Sequence, residues 1–320
     1  MSERTPRSFN TFRKSNRETR KQRQSKARFT LLSICVIVIL LLISLAVFLF
    51  CAIADALDGP NPTKSNIKYE SITKQASDIH KGELILVNQT YEYVFPETTD
   101  HLINIYENRS KVDATPAYQL NYNTLQFHRD AFAQLDEMLK QACIATQDTS
   151  PLITTAYRSY EDQAGKQLAQ GHSDYHTGYS VEIRRVQSGV TSNLENTNWI
   201  YQNCTKYGFI VRYPENKSLI TGIEDYTYCF RYVGVPHATY ITQNNLCLEE
   251  YVELLKTNYS DDKHLTITAD GKQYEVYYVA KSDKEVTTIE VPKNYSYTVS
   301  GDNVGGFIVT VNLSEPRANK

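Results

Sequence analysis

The sequence predicts an α+β fold: a small, mostly antiparallel sheet flanked by helices, carried behind an N-terminal transmembrane helix and followed by a C-terminal β appendage. Three observations predict it. Apolar and polar residues alternate in several short stretches, as strands require. In others apolar residues recur at three and four residues, as helices require. Beyond Asn258 the texture turns to β-branched and aromatic residues. With 320 residues, 41% of them hydrophobic, the chain can bury a sizeable core, which excludes a disordered protein.

The first element is the anchor. Phe29 to Ala54 gives 26 residues without a charge, enough to cross a hydrocarbon layer of ~30 Å with some tilt. No small-residue cleavage site follows, so a retained transmembrane helix is expected over 29–57. Ahead of it, residues 1–28 hold ten Lys or Arg against Glu3 and Glu18, a charge of +8 in a chain whose total is −2. Beside an apolar run, this excess reads as topology and lipid contact and not as a nucleic-acid surface. It places the amino terminus in the cytoplasm and the remainder outside. Cys35 and Cys51 sit in the anchor. Cys143, Cys204, Cys229 and Cys247 lie beyond it, where disulfides are expected in any of three pairings.

A polar, turn-rich run from Asp58 to Ser65 opens a stalk assigned to 58–78. The folded region is expected to start near Ile79. Gly82 to Pro96 alternates like a strand, around Leu84, Leu86, Tyr91, Tyr93 and Phe95. Thr124 then suits the cap of a helix whose apolar face is Leu125, Phe132, Leu135, Leu139 and Ala142. Strands follow at Leu152–Ala156 and around Tyr179, Val181 and Ile183. A helix from Asn196 to Tyr207 stops at Gly208. Two more strands, Phe209–Tyr213 and Phe230–Gly234, and a closing helix, Leu248–Lys256, complete a domain over 79–256. In the appendage, 257–320, Asp270-Gly271 marks a hairpin between Leu265–Thr268 and Tyr274–Val279, and Gly305 to Val311 reads as a last strand. There is no convincing internal repeat.

Three stretches carry the chemistry. The first is Ala156-Tyr157-Arg158-Ser159-Tyr160-Glu161-Asp162-Gln163. The second runs from Ser173 through Tyr175, His176 and Gly178 to Glu182. The third is Tyr226 to Gly234 (YTYCFRYVG), preceded by Tyr207 to Pro214 and followed by His237-Ala238. Together, and in this order, they resemble the VanY-type D-alanyl-D-alanine carboxypeptidases, zinc enzymes that trim cell-wall stem peptides. The resemblance covers roughly Ile79 to Lys256. It implies the family fold, a zinc cofactor, and a peptidoglycan stem peptide as ligand on the wall side of a bacterial plasma membrane.

The same resemblance implies a His and an Asp ligand in the second frame, and a Glu base and a His ligand in the third. Those four positions hold Tyr175, Glu182, Tyr226 and Cys229. Catalytic zinc takes about three protein ligands plus a water whose pKa it lowers toward ~7. A phenol of pKa ~10 replaces neither imidazole nor a carboxylate base at neutral pH. Zinc is therefore expected to be lost, with no catalytic residue assigned. Sliding the frame onto His176 breaks the spacing to Gly178 and Glu182. His172 pairs with His176 only on a helix, which Gly171 argues against, and His237 falls outside the ligand set and is expected to bond backbone.

Arg158 stands where the family has an arginine facing substrate, suited to a carboxylate, and Gln163 and Ser173 are expected beside it. Structural ion pairs of Arg158 and Arg231 within the sheet are the competing expectation. The functional expectation is a membrane-anchored module that binds a stem peptide or a wall protein without catalysis and without nucleic acid. A peptidase with a metal site remodelled from Glu182, Cys229 and a histidine is one alternative. A purely structural role is the other.

Overall fold

The computed structural model describes residues 67–317 apart from 188, 195–197 and 225. The expected transmembrane helix at 29–57 lies outside the described residues. Among those described, no helix is long and apolar enough to cross a membrane.

Structure begins earlier than Ile79. Strand β1 (Tyr69–Gln75), inside the expected stalk, pairs antiparallel with Val286–Pro292 near the other end of the chain, Tyr69 opposite Pro292 and Gln75 opposite Val286. Then β2 (Leu102–Asn104), α1 (Ile105–Asn108) and the short strands β3 (Lys111–Val112), β4 (Thr115–Pro116), β5 (Gln119–Leu120) and β6 (Gln126–His128) lead to the 18-residue helix α2 (Arg129–Thr146). Thr124 does not cap this helix. Residues 126–128 are drawn into a ladder with β2, and His128 becomes the cap, its Nδ1 accepting from the Asp130 N–H at 3.3 Å.

The central sheet runs β10–β11–β8–β7–β5, with β9 on β8. Its strands are β7 (Pro151–Thr155), β8 (Ser180–Gln187), β9 (Val190–Ser192), β10 (Phe209–Val211) and β11 (Cys229–Tyr232). Only the β5–β7 pair is parallel. Val181 and Ile183 of β8 point into a core with Leu135, Met138 and Leu139 of α2, so Ser180 and Glu182 are turned to the opposite face. The predicted helix ending at Tyr207 is α3 (Trp199–Asn203) followed by a 3₁₀ turn, Cys204–Tyr207. Gly208 ends it at φ +79°, and a Cβ there would lie 3.0 Å from the Cα of Gly234, so the stop requires glycine.

After α4 (Ser218–Thr221) comes a helix that the sequence reading missed, α5 (Val235–Gln243), announced by Pro236 in its first turn. Then α6 (Leu248–Asn258) begins with the Cys247 N–H on Glu250 Oε2 at 2.9 Å. The second sheet, β12–β13–β16–β15, is built from β12 (Leu265–Ala269), β13 (Lys272–Ala280), β15 (Tyr295–Gly301) and β16 (Gly306–Pro316), while β14 (Val286–Pro292) takes β1. Asp270 and Gly271 turn the β12–β13 hairpin with φ of 50° and 69°, as a type I′ turn requires. This sheet is no loose appendage. Ile267, Val276, Tyr278 and Ile308 share one core with Ala238 and Ile241 of α5 and Leu248, Tyr251 and Leu255 of α6. His237 joins the two parts through side chains and not backbone, with Nδ1 2.7 Å from Tyr251 Oη and Nε2 2.8 Å from Thr310 Oγ1.

Gly82 to Pro96 forms no strand. Leu84 to Val87 is almost wholly buried, yet its backbone groups are met by side chains and single contacts instead of a ladder. Arg231 donates to the carbonyls of Glu83 and Ile85 at 2.9 and 3.0 Å, Asn303 donates to that of Leu86 at 2.9 Å, and Ser300 Oγ accepts from the Leu84 N–H. Both arginines involved are fully buried and paired. Arg231 donates to Asp174 at 2.6 Å, and the Arg212 guanidinium, 3.3 Å from Asp174, donates two parallel bonds to Glu249 at 2.8 and 2.9 Å. Burial alone would raise the pKa of Asp174 and of Glu249, but the arginine charges outweigh it and hold both below the ordinary range.

Two outcomes are expected. Arg212→Met leaves Asp174 and Glu249 short of a partner and lowers stability by about 3–5 kcal/mol in urea titration. Since both carboxyls have depressed folded pKa values, their contribution is complete above the ordinary carboxylate pKa of ~4 and is lost as pH falls through the folded values. Melting temperature measured against pH should therefore hold level above pH ~5 and fall steeply below pH ~4.

Candidate functional site

Tyr175, Glu182, Tyr226 and Cys229 converge. Cys229 on β11 is the direct cross-strand partner of Glu182 on β8. Tyr175 sits in the 3₁₀ turn Asp174–Thr177, which Gly178 closes at φ +71°. Tyr226 precedes β11, its carbonyl accepting from the Cys229 N–H at 3.2 Å. Tyr213 and Ile223 pack round Tyr175 and Cys229 and keep the cluster apolar.

Hydrogen bonds run from Tyr175 through Tyr226 to Glu182, and Cys229 packs beside them. The Tyr226 hydroxyl donates to Glu182 Oε2 at 2.6 Å, and the Tyr175 hydroxyl donates to Tyr226 Oη at 3.2 Å. The other oxygen of Glu182 accepts from Thr154 Oγ1 at 2.7 Å and Arg184 Nε at 2.6 Å. Burial would raise the Glu182 pKa, but the bonds from Tyr226, Arg184 and Thr154 outweigh it, so the carboxylate is ionised with both oxygens engaged. Burial drives both phenols upward and pushes the Cys229 thiol up to about 12.

This donor set does not fit zinc. Cysteine binds metal as thiolate, the phenols are held protonated, and every oxygen of Glu182 is engaged. Among the described residues no three His, Cys, Asp or Glu side chains are grouped so as to hold a metal ion. The histidines are occupied elsewhere. His176 is fully buried, its Nε2 accepting from the Gly171 N–H at 3.2 Å, which fixes the proton on Nδ1 for donation to the Arg158 carbonyl at 2.6 Å. His172 Nδ1 lies 2.9 Å from the Asn88 carbonyl.

Arg158 and Arg231, taken together as possible sheet ion pairs, divide. Arg231 is one. Arg158 is half-buried, makes no ion pair among the described residues, stacks 4.8 Å over the Tyr175 ring and donates to Gln163 Oε1 at 2.7 Å. Gln163 is itself aimed by its Nε2, which donates to the Leu168 carbonyl at 2.7 Å. Ser173 is buried at the start of the Tyr175 turn and makes no side-chain cap, so no hydrogen bond joins it to the other two. Sequence reasoning missed Thr154 and Arg184. Arg184 lies two residues beyond Glu182 on the same strand face, and that spacing was the available signal.

The expected disulfides are absent. Cys143, Cys204, Cys229 and Cys247 are free, buried thiols, Cys143 and Cys204 within one core and Cys229 in another, and burial pushes Cys204, Cys229 and Cys247 up to about 12. Non-reducing alkylation with peptide mass mapping should modify all four on unfolding and spare them in the folded protein; a linked peptide among them would contradict this arrangement. Tyr226→Phe strips one bond from Glu182 and one from Tyr175 and should cost about 1–3 kcal/mol in chemical denaturation.

Comparison with known proteins bears on this site directly. The family described as D-alanyl-D-alanine carboxypeptidase, VanY, matches residues 164–235, which span Tyr175, Glu182, Tyr226 and Cys229. A D-alanyl-D-alanine carboxypeptidase of Enterococcus faecium is 29% identical over 257 residues, 78% of this chain and 80% of that protein. The bifunctional D-Ala-D-Ala dipeptidase and D-Ala-D-Ala carboxypeptidase VanXYC of Enterococcus gallinarum is 52% identical over 54 residues, 17% of this chain and 28% of its own length. Among solved structures, the vancomycin-resistance D,D-dipeptidase VanXYg, in complex with a D-Ala-D-Ala phosphinate analog, superposes with a TM-score of 0.65 at 25% identity, covering 77% of this chain and 99% of the other. Fold, motif order and relatives agree in likening the chain to the VanY-type D-alanyl-D-alanine carboxypeptidases.

Proposed function

We propose that this protein is a membrane-anchored, extracytoplasmic D-alanyl-D-alanine carboxypeptidase-like module that binds a cell-wall stem peptide or a wall protein without zinc and without hydrolysis. One observation carries the reading: at the positions where the family resemblance implies ligands and base, hydrogen bonds run from Tyr175 through Tyr226 to a Glu182 whose two oxygens are both engaged, with Cys229 buried beside them. A site without an activated water or a free base supplies no nucleophile for peptide hydrolysis.

Binding is supported by Arg158. Its guanidinium is oriented by Gln163, rests on the Tyr175 ring and has no carboxylate of the described chain to neutralise it. A peptide C-terminal carboxylate matches that fork. Relatives are named for D-Ala-D-Ala chemistry, and their ligand class fits the same end group. The basic tail and apolar run at the amino terminus support an anchor that holds the module on the wall side of a bacterial plasma membrane.

Two measurements test this on the full-length chain purified without a His tag. Metal analysis should find no stoichiometric zinc; one tightly held zinc per chain would restore the peptidase alternative. Titration with a peptide ending in D-Ala-D-Ala should show saturable binding without release of D-alanine, weakened by about 2–3 kcal/mol in Arg158→Ala. Unchanged affinity in that variant would remove Arg158 from the site, and no binding at all would leave a structural role.

A further inference from the structure

The second sheet turns one face toward α5 and α6, and that face changes character along its strands. At Val276, Tyr278 and Ile308 it is apolar and closes the shared core. Farther along the same face, cross-strand register sets Tyr274 beside Asn312 and Asn312 beside Ser296, then Thr310 beside Thr298. A cavity of about 270 Å³ opens over these side chains, and Glu83, Tyr232 and the first turn of α5 form its other wall.

The cavity is separate from the cleft. Cys229 and Tyr232 lie three residues apart on β11, so they point to opposite faces of the central sheet. Along this strip Thr310 is buried and bonded to His237, Ser296 and Asn312 are half-buried and Thr298 is exposed, so the hydroxyl and amide groups lie where the core opens to solvent. No Lys or Arg lines the cavity, and its charges are Glu83 and Glu315. The carboxyl of half-buried Glu83 bonds its own backbone N–H and no other described side chain, and burial pushes it above the usual range. Asn312 gives one amide hydrogen to Glu315 at 3.1 Å and keeps the second.

Carboxylates without cations repel an anion. Hydroxyls, an amide and a carboxyl with acceptor capacity to spare suit a ligand rich in hydroxyls, and the tyrosine rings offer flat apolar faces for ring C–H groups. We propose that this cavity is a saccharide-binding site that takes one uncharged sugar ring of a glycan. Asn312 and Glu83 bond the ring hydroxyls, and Tyr232 and Tyr274 provide the apolar contact. The site does not depend on the reading of the cleft.

Calorimetric titration of the full-length chain with N-acetylglucosamine oligomers tests it, in parallel with the D-Ala-D-Ala peptide. Saturable saccharide binding is expected, weakened about tenfold in Asn312→Ala and in Glu83→Gln and unaffected by a saturating concentration of the peptide. Melting temperatures near that of the parent establish that the variants are folded, and Ser296→Ala stands in for either that is not. An absence of saccharide binding, equal binding by the variants, or competition by the peptide would each overturn the assignment.

Discussion

Two fully buried guanidinium groups set the terms for this fold. Taking an ion out of water costs several kcal/mol, and a pair recovers it only when geometry is good and the remaining donors are met. Here Asp174 faces both Arg231 and Arg212, Glu249 takes two bonds from Arg212, and the spare donors of Arg231 go to the Glu83 and Ile85 carbonyls. The network ties together the end of β10, strand β11, the Asp174–Thr177 turn, α6 and the buried run at 83–87. Asp174 precedes Tyr175 in the turn, and Arg231 lies two residues past Cys229 on the same strand face. The ion pairs therefore decide where the cleft side chains stand.

Much of the central sheet was legible because each strand has one buried face. Val181 and Ile183 alternate with polar neighbours, and the pattern puts Glu182 in the cleft without a structure. The convergence of Tyr175, Glu182, Tyr226 and Cys229 was legible only as a frame resemblance, since nothing local in the sequence brings residue 175 to residue 226. The engagement of both Glu182 oxygens was not legible at all. It depends on Thr154, which reaches the carboxylate from the neighbouring strand β7, a question of register.

The misreadings have physical causes. Gly82 to Pro96 alternates like a strand, but strand identity needs a partner ladder, and here side chains of Arg231, Asn303 and Ser300 substitute for one. Thr124 looked like a cap because local pattern does not show that β2 claims residues 126–128. The β-rich C-terminal part looked separate because its composition changes. Composition reports propensity, whereas the contacts of Tyr251, Thr310 and His237 report a shared interior. Disulfides were inferred from compartment, and the thiols are instead distributed through apolar packing where each fills volume as a small hydrophobe.

The relay also limits which sequences lie one substitution away. Tyr226 is at once donor to Glu182 and acceptor from Tyr175, so the side chains are satisfied as a set and not in pairs. Exchange of any single member, whether for histidine or for a carboxylate, strands a polar group in a buried setting or places a second negative charge beside Glu182. Stepwise change at this site therefore crosses unstable intermediates from every direction. The positions are coupled through their shared hydrogen bonds, so a change at one is felt by the others.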